Sequence, residues 1–100
     1  MAQKKYKLRS EVWLYPGMSA WHFISVPKRA SEEIKATFGK NARGWGSLPV
    51  VATIGKTSWK TSIFPDKKSG TYLLPLKVSV RKAERILAKD KVTFHLEITI

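Results

Sequence analysis

Residues 92–100 read VTFHLEITI and alternate without error. Val92, Phe94, Leu96, Ile98 and Ile100 point one way; Thr93, His95, Glu97 and Thr99 point the other. A period of two over nine residues cannot form the stripe of a helix and reads as a half-buried strand. Other segments behave alike. In residues 5–15, Tyr6, Leu8, Val12 and Leu14 share one parity, while Lys5, Lys7, Arg9 and Glu11 take the other. Residues 21–26 form an apolar run stopped by Pro27, residues 48–54 are rich in β-branched side chains, and residues 57–64 and 71–76 complete the set of six strands.

Two segments follow a helical period instead. Ala30, Ile34 and Phe38 recur every four residues behind Ser31, an expected N-cap, with Glu32 and Glu33 suited to the positive helix start and Gly39 to its end. This predicts about two turns of helix. Over residues 77–87, Val80, Ala83, Ile86 and Leu87 fall on one side, with Lys77, Arg81 and Arg85 opposite. The predicted order is β-β-α-β-β-β-α-β in a single domain spanning residues 1–100. A faint echo lays residues 24–31 (ISVPKRAS) over residues 72–79 (YLLPLKVS), matching Pro27 with Pro75 and Ser31 with Ser79. Two such halves can close a small barrel with few free edges.

The segment VVATIGKTSWK, residues 50–60, ends like a phosphate-binding P-loop. That motif needs an earlier glycine where Val50 stands, and a helix after Thr57 where SWKTSIF alternates instead. Gly55-Lys56 therefore reads as a two-residue hairpin turn, with glycine first as type II′ requires.

The extreme value is charge: 19 Lys and Arg against 7 Asp and Glu, a net +12. This favours polyanionic partners, nucleic acid among them, but the cations are spread along the whole chain. The absence of cysteine excludes disulfides, thiolate metal sites and cysteine nucleophiles. His22 and His95 are far apart in sequence, no G-x-S-x-G elbow occurs, and the acidic residues give no catalytic pair. No signal peptide or membrane-spanning run is apparent, so a soluble cytoplasmic protein without membrane partners is expected. Separately, a monomer is expected, with its partners otherwise unknown.

Four tryptophans are many for this length and can either fill a core or stack bases. Trp59 shares parity with Ile63 and is expected to face inward. Trp45, between Gly44 and Gly46, is expected to be buried as a lid seated on Val26 and Ile54, leaving Arg43 at the surface.

The run from Gly44 onward, GWGSLPVVATIGKTSWKTSIFPDKKSGTYLLPLKVSVRKAE, with Trp21, Val26-Pro27, Ser31 and Ile34 before it, resembles a family of small bacterial and archaeal domains of unknown function. The resemblance implies a double-split β-barrel, mainly β with two short helices, sometimes fused to a domain associated with bacteriocin protection. It brings no activity, cofactor or catalytic residue. The chain departs from the pattern at Lys89-Asp90, where the family usually has Gly-Asp; lysine tolerates a positive φ less well than glycine. Leu74-Pro75, Arg81, Ile86, Asp90 and Val92 also follow the order of swapped-hairpin transition-state regulators, which dimerise into a related barrel and bind DNA.

The expected function is a non-enzymatic binding or accessory module with an unidentified ligand. The alternative is nucleic-acid binding through a basic helix face, by analogy with those regulators. Candidate contact residues are Arg43, Trp45, Lys77, Arg81, Lys82 and Arg85. No catalytic residue, metal or cofactor is expected.

Overall fold

Alternation along each strand sorts side chains between the inside and the outside of a closed barrel. In the computed structural model, which describes residues 4–17 and 21–100, the elements are β1 (Lys5–Leu14), β2 (His22–Ser25), α1 (Lys28–Phe38), β3 (Leu48–Ile54), β4 (Thr57–Asp66), β5 (Thr71–Leu76), α2 (Val78–Glu84) and β6 (Lys91–Ile98). Six strands close in the order β1-β2-β5-β4-β3-β6, and every pairing is antiparallel. Val12, Ile24, Val50, Ile63, Leu74, Phe94 and Leu96 fill the interior, and closure removes the exposed sheet edge. Trp59 faces inward, as its parity requires.

The echo between the two halves is structural. Ser25 stands opposite Leu73 and Val50 opposite Ile98; both pairs are 48 positions apart, the offset that lays Pro27 on Pro75. Exchanging β1 with β4, β2 with β5 and β3 with β6 leaves the barrel order unchanged. An internal twofold thus relates the halves, and each helix lends one buried side chain to the shared core, Ile34 from α1 and Val80 from α2, with Ala30 and Phe38 of α1 packed against it.

The helices depart from expectation in detail. α1 starts directly after Pro27, whose carbonyl accepts the first helical bond from Ser31 N–H at 2.8 Å. Ser31 is therefore not the cap, and α1 is 11 residues long rather than two turns. Its first turn holds no acidic residue; Glu33 instead meets Lys4 at 3.3 Å in an exposed pair worth little to stability. The Ser31 side chain is buried, donating from Oγ to Val26 O at 3.0 Å and accepting Tyr72 N–H at 3.0 Å. Val26 N–H donates directly to Tyr72 O at 2.8 Å, and Ser31 Oγ bridges the other half of that pair, Val26 O and Tyr72 N–H. α2 is shorter than residues 77–87, because Arg85 turns left-handed at φ 54 and ends it. Val80 and Ile86 are buried, but Ala83 is exposed and Leu87 is 70% exposed.

The Gly55-Lys56 hairpin forms as expected, with positive φ at Gly55 alone, the signature of type II′. It is clasped by α2: Glu84 Oε2 accepts Thr57 Oγ1–H at 2.6 Å and Lys56 N–H at 3.3 Å. The P-loop-like letters hold a carboxylate. Among the described residues, no helix is long and apolar enough to cross a membrane.

Candidate functional site

Between α1 and β3 the chain folds back on itself over Arg43 to Ser47. Arg43 N–H donates to Ser47 O at 2.8 Å, Gly46 N–H to Arg43 O at 2.9 Å, and Ser47 Oγ–H to Gly44 O at 2.9 Å. These bonds force two consecutive left-handed residues, Trp45 at φ 64 and Gly46 at φ 73. A Cβ on Gly46 would come within 2.9 Å of Pro65 Cγ, so glycine lets the loop press onto β4. For tryptophan the left-handed region costs about 1 kcal/mol.

Trp45 is 94% exposed, which overturns the lid expectation. Its expected seat is occupied: Val26 and Ile54 are buried in the core, and Phe38 and Ala42, which precede the loop, pack against that core themselves. Arg43 is exposed, as expected. The loop instead holds the indole at the rim of a cleft of about 640 Å³ with Lys35, Phe64, Pro65, Lys67 and Tyr72 in its walls. A second cleft of about 410 Å³ shares Lys35, Pro65, Lys67 and Tyr72 and adds Lys28, Glu32 and Asp66. Burial pushes the Tyr72 phenol above its usual pKa, so it stays neutral at physiological pH. Lys35 and Lys67 form no ion pair among the described residues, which leaves the Trp45 cleft with two cations and an apolar floor, whereas the second cleft also holds the carboxylates of Glu32 and Asp66.

The six candidate contact residues fall into two groups. Lys77, Arg81, Lys82 and Arg85 surround α2, whose Glu84 holds Thr57 at the start of β4. The Trp45 loop presses on Pro65 near the end of β4. Eight residues of strand, roughly 26 Å, separate those contacts. The expected basic stripe also breaks up: Lys77 precedes α2, Arg85 lies past its end, and Arg81 is half-buried.

A further group brings together two of the four tryptophans, Trp13 and Trp21, with Tyr15 and Phe23, a clustering the sequence reading does not foresee. Trp13 pairs with Phe23, and Tyr15 N–H donates to Trp21 O at 3.0 Å, across β1, β2 and their connection. Val12 and Ile24, the alternating neighbours, are fully buried in the core, so Trp13 and Phe23 project outward. The four rings touch one another: Trp13 lies 6.1 Å from Tyr15 at 28°, and Phe23 contacts Trp13, Tyr15 and Trp21 at 5.4, 5.7 and 6.0 Å. The signal was present in the spacing, Trp-x-Tyr and Trp-x-Phe, each in step with the polar face of its strand.

His95 is exposed on β6, and no carboxylate lines the cleft that contains His22. No group of three or more His, Cys, Asp or Glu among the described residues could hold a metal ion.

A family model described as a domain of unknown function (DUF1905) matches residues 9–96. No curated protein matches the chain.

Proposed function

The chain belongs to the DUF1905 family, and since that description carries no activity we propose from the surface that it is a non-enzymatic binding module whose site is the Trp45 cleft. The ligand is a small molecule with a flat apolar part, which lies against Trp45 and Phe64, and an anionic group, which meets Lys35 and Lys67. The observation that carries this reading is the conformation of Trp45. An indole held in solvent on a left-handed backbone gives up stability twice, through strain and through apolar exposure, and such strain clusters at binding sites. Tyr72, neutral and set in the floor, supplies a hydroxyl without opposing charge. A cytoplasmic location forms part of the same proposal.

A thermal-shift screen of planar anions, such as aryl carboxylates and nucleoside monophosphates, tests it. Compounds that raise the melting temperature of the wild type should fail to do so for Trp45→Ala and act more weakly on Lys67→Ala. The reading falls if no compound stabilises the wild type, or if every hit stabilises Trp45→Ala equally.

A further inference from the structure

We propose that the outer wall of the barrel on β1, β2 and β5 is a platform for single-stranded nucleic acid, with bases stacked on the Trp13, Tyr15, Trp21 and Phe23 cluster. This surface is distinct from the Trp45 cleft and does not depend on it.

The barrel has two apolar layers. One is the interior core. The other lies outside, where Phe23 and Leu73 are buried yet stand apart from the core cluster. Phe23 is covered by the rings of Trp13, Tyr15 and Trp21, and Pro75 pairs beside it on β5. The covering rings are themselves left in water: Tyr15 is 42% and Trp21 53% exposed. Trp13 is fixed by its Nε1–H bond to Ser25 Oγ at 3.0 Å. The interior is filled without these rings, so they contribute nothing to the main core while presenting aromatic surface to solvent.

Charge selects the occupant. Lys5, Lys7 and Arg9 share the outward parity of Trp13 on β1, and all three are exposed. They form a cationic track leading along the strand to the rings. Lys68 lines the cleft that Trp13 and Tyr15 share, and Lys77 lines the cleft beside Trp21. Three acidic groups lie nearby: Glu97 stands opposite Lys5 across β1 and β6, Glu11 interrupts the track, and Asp66, which lines the same cleft as Lys68, accepts Ser69 Oγ–H at 2.8 Å. Lys7 and Arg9 therefore carry the charge nearest the rings. Aromatic rings flanked by lysine and arginine suit a flexible polyanion whose flat units can leave their own stack. Duplex bases are already stacked and closed to such rings, so the surface favours single strands.

Fluorescence anisotropy with labelled oligo(dT) and oligo(rU), against a duplex of equal length, tests the proposal. The wild type should bind single strands more tightly than duplex, with affinity falling as salt rises. Tyr15→Ala and Trp21→Ala, both at exposed positions, should each weaken single-strand binding about tenfold. Trp21→Phe should restore most of the loss. Lys7→Ala and Arg9→Ala should each flatten the salt dependence by about one phosphate contact. Circular dichroism melts of each variant verify folding. The proposal is overturned if oligonucleotides do not bind at low salt, or if duplex and single strand bind alike with no effect of the aromatic substitutions, which would show bulk charge alone. It is equally overturned if the rings are needed for anionic vesicles and not for oligonucleotides.

Discussion

The Ser31 hydroxyl accepts the backbone N–H of Tyr72 at 3.0 Å, across 41 positions of sequence, while donating to Val26 O at 3.0 Å. A helix side chain thereby serves as one rung of a sheet. Ser31→Ala leaves a buried amide and a buried carbonyl without that partner. The expected loss is about 2–3 kcal/mol in urea unfolding. Ser79→Ala, at the exposed position related to Ser31 by the internal twofold, should change stability by less than about 0.5 kcal/mol. Equal effects at the two serines would contradict the rung.

Gly55 and Glu84 constrain each other. A side chain at Gly55 would overlap the Glu84 carboxylate and would sit at φ 58. Gly55→Ala should cost about 2 kcal/mol, from left-handed strain together with displaced hydrogen bonds. Combining it with Glu84→Ala should cost less than the sum of the single changes, because the overlap is then gone. A double-mutant cycle measures this coupling, and strict additivity would show that the carboxylate is not pressed against the turn.

Lys89 occupies φ 75 in the turn before β6, with its N–H bonded to Val12 O at 2.7 Å. The conformation there is one that glycine adopts without strain. Lys89→Gly should stabilise the protein by about 0.5–1 kcal/mol, the strain relieved exceeding the added freedom of the unfolded chain. A lowered midpoint in chemical denaturation would show that the lysine makes a contact worth more than its strain.

Trp45→Gly should leave the melting temperature unchanged or slightly raised, since the side chain is in solvent and glycine fits φ 64. A fall of many degrees would restore a structural role for the indole.

Alkaline pH should unfold the protein through its phenols. Burial, and next the charge of Glu33, raise the Tyr6 pKa; burial raises that of Tyr72. The folded state thus holds these protons more tightly than the unfolded chain. Their contribution is complete below the unfolded value of about 10 and is lost as pH rises through the higher folded values. Melting temperatures should therefore fall above about pH 10, with a shallower fall in Tyr6→Phe. An identical slope in that variant would remove Tyr6 as a cause.

Strands were more legible than the site because their signal is local. The bounds of β3 follow from its β-branched content, those of β5 from the turn before it and the helical period after it, and β4 runs only two residues past its expected end, to Asp66. The end of α2 was hidden because Ile86 and Leu87 continue the helical period, and nothing local reveals that Arg85 turns left-handed. Trp45 was misread for a tertiary reason. Whether an indole is buried depends on whether space remains at the core, and Phe38 and Ala42 had already taken it. The outer aromatic cluster is not legible from local alternation, because Trp13 and Tyr15 share the parity of Lys5, Lys7, Arg9 and Glu11 on β1, and the apolar run at residues 21–26 does not itself show which of its side chains face outward.

The placement of β6 governs how the molecule assembles. It lies between β1 and β3 and bonds to both. Without residues 91–98 the other five strands would be an open sheet, with β1 and β3 as bare edges. Closure requires a segment eighty or more positions away from its β1 partner, a long-range contact that slows folding. A chain that lost β6 would therefore expose two edges at once, each able to recruit a strand from a neighbouring copy.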